Sequence, residues 1–184
     1  MNSKRVQQFI RFCVSIITII SMLVSPVSRV ATVSANPDDY QIFASGLFGP
    51  FHMAFDAAGN LYVAQETGGG GPAMARIAPN MTLETYITGQ YGSAGVAFDS
   101  SGRLYFSSDQ SGVLRVTGNY YEVIIPNEAG MGNVNAIAFD QNDVLYVLSA
   151  DGWLSTFTAD GVLITDHLAE GLNTPQGIVI KAAE

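Results

Sequence analysis

The chain has 184 residues, with 16 acidic against 8 basic side chains and a formal net charge of −8 at neutral pH. A surface of that sign repels phosphate backbones, which argues against a nucleic-acid partner. The single cysteine, Cys13, excludes an internal disulfide framework, so stability has to come from core packing.

Residues 1–35 read as a secretory signal peptide. Lys4, Arg5 and Arg11 give a positive start, residues 12–24 are almost continuously apolar, and Val33-Ser34-Ala35 offers small residues at the −3 and −1 positions of a cleavage site. The apolar run is 13 residues, short of the roughly 20 that cross a bilayer. Cleavage near Ala35 would place the mature chain outside the cell or in a periplasm, with no membrane attachment. It would leave 149 residues carrying four basic and sixteen acidic side chains, a net charge of −12.

Residues 36–184 form a single repeat domain. A polar lead-in is followed by a short strand at 40–44. Then GLFGPFHMAFDAAGNLYVA at 46–64 is rewritten as GSAGVAFDSSGRLYFS at 92–107 and GNVNAIAFDQNDVLYVL at 132–148, and begun once more as TPQGIVIKAAE at 174–184. Aligned on Asp56, Asp99, Asp140 and Lys181, the copies are 43, 41 and 41 residues apart. A period near 40 with short strands inside it indicates propeller blades rather than a helical solenoid.

Within each copy, MAF, VAF and IAF read as a first strand and LYVA, LYFS and LYVL as a second, joined by turns. Third strands are expected at 73–78, 112–117 and 152–158, with Arg76 and Arg115 matched by Ser155. More polar fourth strands are expected at 83–88, 120–125 and 162–167. No segment shows helical periodicity. The chain is therefore expected to be all-β, a propeller of four-stranded blades with about three complete blades plus a half blade. Such a count leaves the ring open, as in an incomplete or truncated propeller, unless copies self-associate to complete it.

The pattern G-(hydrophobic)-A-F-D-x-x-G-x-L-Y, followed by Arg76 or Arg115 and by the Asp160-Gly161 turn, resembles the NHL-type repeat. It is similar to the wider group of senescence marker protein and gluconolactonase-like propellers. The resemblance implies a partial version of a six-bladed ring, and a mouth at which such enzymes hold a divalent metal on Glu and Asn/Asp side chains. Carried over by position, Asn135 fits that set, whereas Phe51 stands where the family has a glutamate.

Candidate site residues follow from the mouth positions. His52 is a candidate acid or base, because the other copies have Gly95, Ala136 and Gly177 in its place. Glu66 is the second catalytic candidate. Asn135, Asp109 and Gln176 offer oxygen atoms suited to a hard cation such as calcium, although no cofactor is required by the sequence. Asp56, Asp99 and Asp140 recur with the fold and are expected to accept hydrogen bonds from their own turn amides. The glycine-rich stretch 68–71 lacks the lysine and helix of a phosphate cradle. Trp153, Tyr120 and Tyr121 offer aromatic faces that a sugar could stack on. Two functions stay open: a secreted binding or scaffold module for a protein, glycan or small molecule, which the unfilled metal positions favour, and a metal-dependent lactonase, hydrolase or lyase.

Overall fold

The computed structural model describes residues 43–68, 70–92, 94–127 and 132–181. The segment expected to be a signal peptide and most of the expected lead-in strand lie outside the described residues, and Phe43 and Ala44 belong to no strand. Three antiparallel four-stranded sheets follow one another, each a simple meander. Blade 1 is β1 (Pro50–Phe55), β2 (Leu61–Gln65), β3 (Pro72–Ile77) and β4 (Leu83–Thr88). Blade 2 is β5 (Val96–Phe98), β6 (Leu104–Ser108), β7 (Gly112–Thr117) and β8 (Tyr120–Ile125). Blade 3 is β9 (Val134–Phe139), β10 (Val144–Ser149), β11 (Leu154–Thr158) and β12 (Leu163–Ala169). The innermost strands β1, β5 and β9 lie side by side with β5 in the middle.

Burial runs as a blade stack demands. Every residue of β2 and β6 is buried, whereas β4 and β12 are exposed along almost their whole length. Second strands are covered on both faces by neighbouring blades, and fourth strands border solvent. Residues 177–181 carry a first-strand sequence yet form no strand. A strand exists by pairing, and among the described residues none of the strands pairs with this run.

The same aromatic contact makes each blade junction. Phe98 of blade 2 meets Tyr62 of blade 1 edge-on at 5.2 Å, and Phe139 of blade 3 meets Tyr105 of blade 2 at 4.7 Å. Edge-to-face pairs of this kind add about 0.5–1.5 kcal/mol beyond the area they bury. Around them, Tyr62, Met74 and Ile87 pack on Val96, Leu104, Phe106 and Leu114. Tyr105, Val113 and Ile125 pack in turn on Ile137, Leu145, Val147 and Phe157. Because side chains alternate along a strand, the tyrosine of each second strand faces the next blade and its leucine and valine or phenylalanine face the previous one.

Turn chemistry holds each inner hairpin. Asp56 Oδ1 accepts from the amides of Ala58 and Asn60, Asp99 Oδ1 from those of Ser101 and Arg103, and Asp140 Oδ1 from those of Asn142 and Val144. These are the bonds the repeat predicts. Asp99 does more, since its Oδ2 also receives Arg103 Nε at 2.5 Å and the buried Tyr105 hydroxyl at 3.1 Å. The fourth turn residue is left-handed in all three blades: Gly59 at φ 82°, Gly102 at 77° and Asp143 at 58°. Asp143 departs from glycine, and its carboxylate crosses to blade 2, accepting from the Ser100 amide at 2.7 Å and hydroxyl at 2.6 Å.

The arginine alignment needs one correction. Strand register sets Arg76 opposite Tyr62, Arg115 opposite Tyr105 and Thr156, not Ser155, opposite Tyr146. The tyrosine-to-partner spacing is the same in blades 2 and 3, but the glycine ahead of the third strand falls one place earlier in blade 3, at Gly152 against Gly112, so a count from it stops at Ser155. Arg115 pairs with Glu122 of its own blade and with Asp160 in the β11–β12 turn of blade 3. Those carboxylates and the Tyr105 hydroxyl, with Asp160 the largest influence, raise its already high proton affinity.

Candidate functional site: a carboxylate and amide pocket at the mouth

The mouth is formed by the starts of the inner strands and by the loops that leave β2, β6 and β10. In each blade a left-handed glycine just ahead of the inner strand lies against the acid that follows the second strand. The pairs are Gly49 with Glu66, Gly92 with Asp109 and Gly132 with Asp151. The Glu66 amide donates to the Gly49 carbonyl at 2.9 Å and the Asp109 amide to that of Gly92 at 3.2 Å. A β-carbon at Gly92 or Gly132 would collide with the neighbouring carboxylate, so glycine serves there both for its φ and for its lack of bulk.

Phe51, Glu66, Gly92, Ala94, Asp109, Asn133 and Asn135 line one cavity of about 180 Å³. Three of the five candidate residues thus meet there, one from each blade: Glu66, Asp109 and Asn135. Burial, and after it the negative charge of Glu66, pushes the Asp109 carboxyl above its ordinary range. Asn135 donates its Nδ2 to the Pro175 carbonyl at 2.8 Å, which leaves Oδ1 as an acceptor. Asn127 steadies the Asp109 backbone by donating Nδ2 to its carbonyl at 2.6 Å.

His52 and Gln176 fall outside the lining of that cavity. His52 Nδ1 lies 3.0 Å from the Ala94 carbonyl, and Nε2 lies close against Gly177. With Nδ1 donating, Nε2 is the acceptor of the neutral ring, and the imidazole bridges inner segments of the repeat. Gln176 is exposed and donates Nε2 to the Thr174 carbonyl at 3.4 Å. The aromatic trio also divides. Tyr120 and Tyr121 join Tyr86 along a groove of about 420 Å³ between the outer strands of blades 1 and 2, while Trp153 lies tilted against the His167 ring at 5.1 Å.

Among the described residues no three histidine, cysteine, aspartate or glutamate side chains gather at one point. The donor set at the mouth still fits a hard cation in kind. Two carboxylates and one amide oxygen are all oxygen ligands. The glycine–acid pairs were not anticipated from the sequence. Their signal is a glycine 17 residues before the acid in blades 1 and 2, Gly49 with Glu66 and Gly92 with Asp109, and 19 before it in blade 3, Gly132 with Asp151.

No protein-family model matches the chain, and no curated protein matches it in sequence. Solved structures do. A gluconolactonase from Xanthomonas campestris superposes with a TM-score of 0.60 at 15% identity, over 74% of this chain and 53% of that one. Virginiamycin B lyase from Staphylococcus aureus gives 0.56 at 16% identity, over 78% and 46%. Regucalcin from Agrobacterium tumefaciens, described as a calcium-binding protein, gives 0.54 at 14% identity, over 63% and 44%. The chain spans about half the length of these propellers. At such identities the likeness speaks for architecture alone, and the architecture is plain: three consecutive four-stranded blades of a β-propeller.

Proposed function

We propose that the chain contributes the mouth of a cation-assisted hydrolase or lyase of the lactonase type, acting through the Glu66, Asp109 and Asn135 pocket. The observation that carries this reading is the meeting of those three oxygen-bearing side chains, one per blade, in a single cavity. It is supported by the gluconolactonase and calcium-binding descriptions of propellers with the same fold. A bound divalent cation would supply polarisation of a substrate carbonyl. Glu66, Asp109 and the Asn135 Oδ1 would hold it. Phe51 supplies an apolar wall against which a ring could lie.

One observation favours binding without turnover as a second reading. Phe51 occupies the place where the resemblance implies a glutamate, so the cation would have one charged ligand fewer. Calcium and zinc titrations followed by thermal unfolding, together with a panel of lactones, test both. A cation at a hundredfold excess over its Kd stabilises by about 2.7 kcal/mol. The hydrolase reading expects that shift, its loss in Asn135→Ala and Glu66→Gln, and lactone opening that follows the same variants. Stabilisation without lactone opening leaves the binding reading, and no response of either kind removes the hydrolase proposal.

A further inference from the structure

The first blade presents a face that its sisters keep covered. Met53 and Phe55 of β1 are 59% and 62% exposed, whereas Val96 and Ile137, the residues at the Met53 place in blades 2 and 3, are each 5% exposed. Phe98 and Phe139, at the Phe55 place, are the residues that stand edge-on against the tyrosine of the preceding blade. Phe55 is therefore a junction residue without its tyrosine. Around it, Leu47, Pro50 and Met53 rim an apolar groove of about 450 Å³ floored by Leu61 and Val63. Ala44 and Leu47 cover the floor only in part. A contiguous apolar face of this kind marks an interaction site.

The other half of the junction is present at the far end of the same chain. Tyr146 of β10 repeats Tyr62 and Tyr105, as the identical strand pairing of the three blades shows. Leu145 and Val147 on either side of it face blade 2, so strand alternation turns Tyr146 to the opposite side, where it is half-buried. One molecule thus carries an unmatched phenylalanine at one end and the matching tyrosine at the other. The two surfaces cannot meet within a row of three blades, but they can between two molecules.

We propose that the open face of blade 1 docks a second copy of this chain, with Phe55 of each copy set against blade 3 and Tyr146 of the other. Two such junctions related by a twofold axis close on themselves rather than propagate. The groove offers an apolar partner surface and almost no polar atoms, which disfavours a polar ligand as occupant.

Sedimentation velocity on the full chain after signal removal, from about 1 to 100 μM, tests the pairing over the affinity range of ordinary specific interfaces. The expected result is a dimer that Phe55→Asp converts to monomer with an unchanged circular-dichroism spectrum, since the replaced side chain lies on the surface. Tyr146→Ala should weaken the same dimer. A mixture of Phe55→Asp and Tyr146→Ala should recover part of the association, because a mixed pair keeps one intact junction. A parent chain that is monomeric throughout, a dimer that survives Phe55→Asp, or a mixture no better than either variant alone would each overturn the proposal.

Discussion

Replacing the turn aspartates one at a time separates what the repeat shares from what one blade has added. Asp140→Ala removes two hydrogen bonds to the amides of Asn142 and Val144 in an exposed turn. Water can take over those amides, and a net hydrogen bond is worth about 0.5–1.5 kcal/mol, so a loss of about 1–2 kcal/mol is expected. Asp99→Ala removes the equivalent pair to Ser101 and Arg103, and strands two further donors, Arg103 Nε and the buried Tyr105 hydroxyl. A buried donor left unsatisfied costs about 1–3 kcal/mol, which brings the expected loss at Asp99 to about 3–4 kcal/mol. Asp56→Ala lies between, because Asp56 Oδ2 also accepts from Asn60 Nδ2 at 2.7 Å in a half-exposed setting. Urea denaturation of the three variants and the parent gives the ranking directly. Thermal melts should agree, at about 2–4 °C per kcal/mol for a chain of this size. Equal losses at Asp99 and Asp140 would refute the argument, since they would mean that the Tyr105 and Arg103 contacts carry no stability. An Asp99→Asn control should recover part of the loss by keeping an acceptor of the same shape.

Two further predictions concern the mouth. The Asp109 carboxyl is held above its ordinary value of 3.8, so the folded state binds its proton more tightly than the unfolded state does. The stability this contributes is fully present below that value and is lost as pH rises through the raised folded value. Asp109→Asn should therefore be more stable than the parent at pH 7, with a flatter dependence on pH in urea titrations from pH 4 to 8. A variant less stable than the parent at pH 7 would count against it. Gly92→Ala imposes a φ of 48° on a residue with a β-carbon and drives that carbon into the Asp109 carboxylate. A modest loss of about 1–2 kcal/mol is expected in the same assay. Any cation-induced rise in Tm should shrink with it, and an unchanged cation response would show that the Asp109 position does not matter.

The frame of the molecule was legible because the chain states it three times. Unbroken apolar runs at Leu61-Tyr62-Val63 and its copies mark strands covered on both sides, and the aspartate turns that close the inner hairpins form the bonds expected of them. Register in the third strands was less legible. The glycine ahead of the third strand lies three residues before Arg115 in blade 2 but four before Thr156 in blade 3, so counting from Gly152 reaches Ser155 instead. The site was legible only in its parts. Glu66, Asp109 and Asn135 could each be named from their mouth positions, but a contact between blades depends on how far one sheet is rotated about the next. The same holds for His52, whose partner Ala94 belongs to the neighbouring blade. The glycine that accompanies each mouth acid was hidden for another reason. Glycine is common in turns, and what distinguishes Gly92 or Gly132 is the side chain brought up against it.

The bond from Asp143 to Ser100 bears on how a chain of look-alike blades assembles in the right order. Blades that share one junction chemistry can be stacked in the wrong sequence, or exchanged between molecules, at small cost in hydrophobic contact. Position 143 sets a left-handed aspartate where the other blades have Gly59 and Gly102, and position 100 sets a serine where blade 1 has Ala57 and blade 3 has Gln141. Blade 3 laid on blade 1 would bring the Asp143 carboxylate to an alanine, with no hydroxyl to receive it. One off-pattern residue, at the small conformational cost of a left-handed non-glycine residue, thus labels the blade 2 to blade 3 junction and biases the chain against misordered stacking.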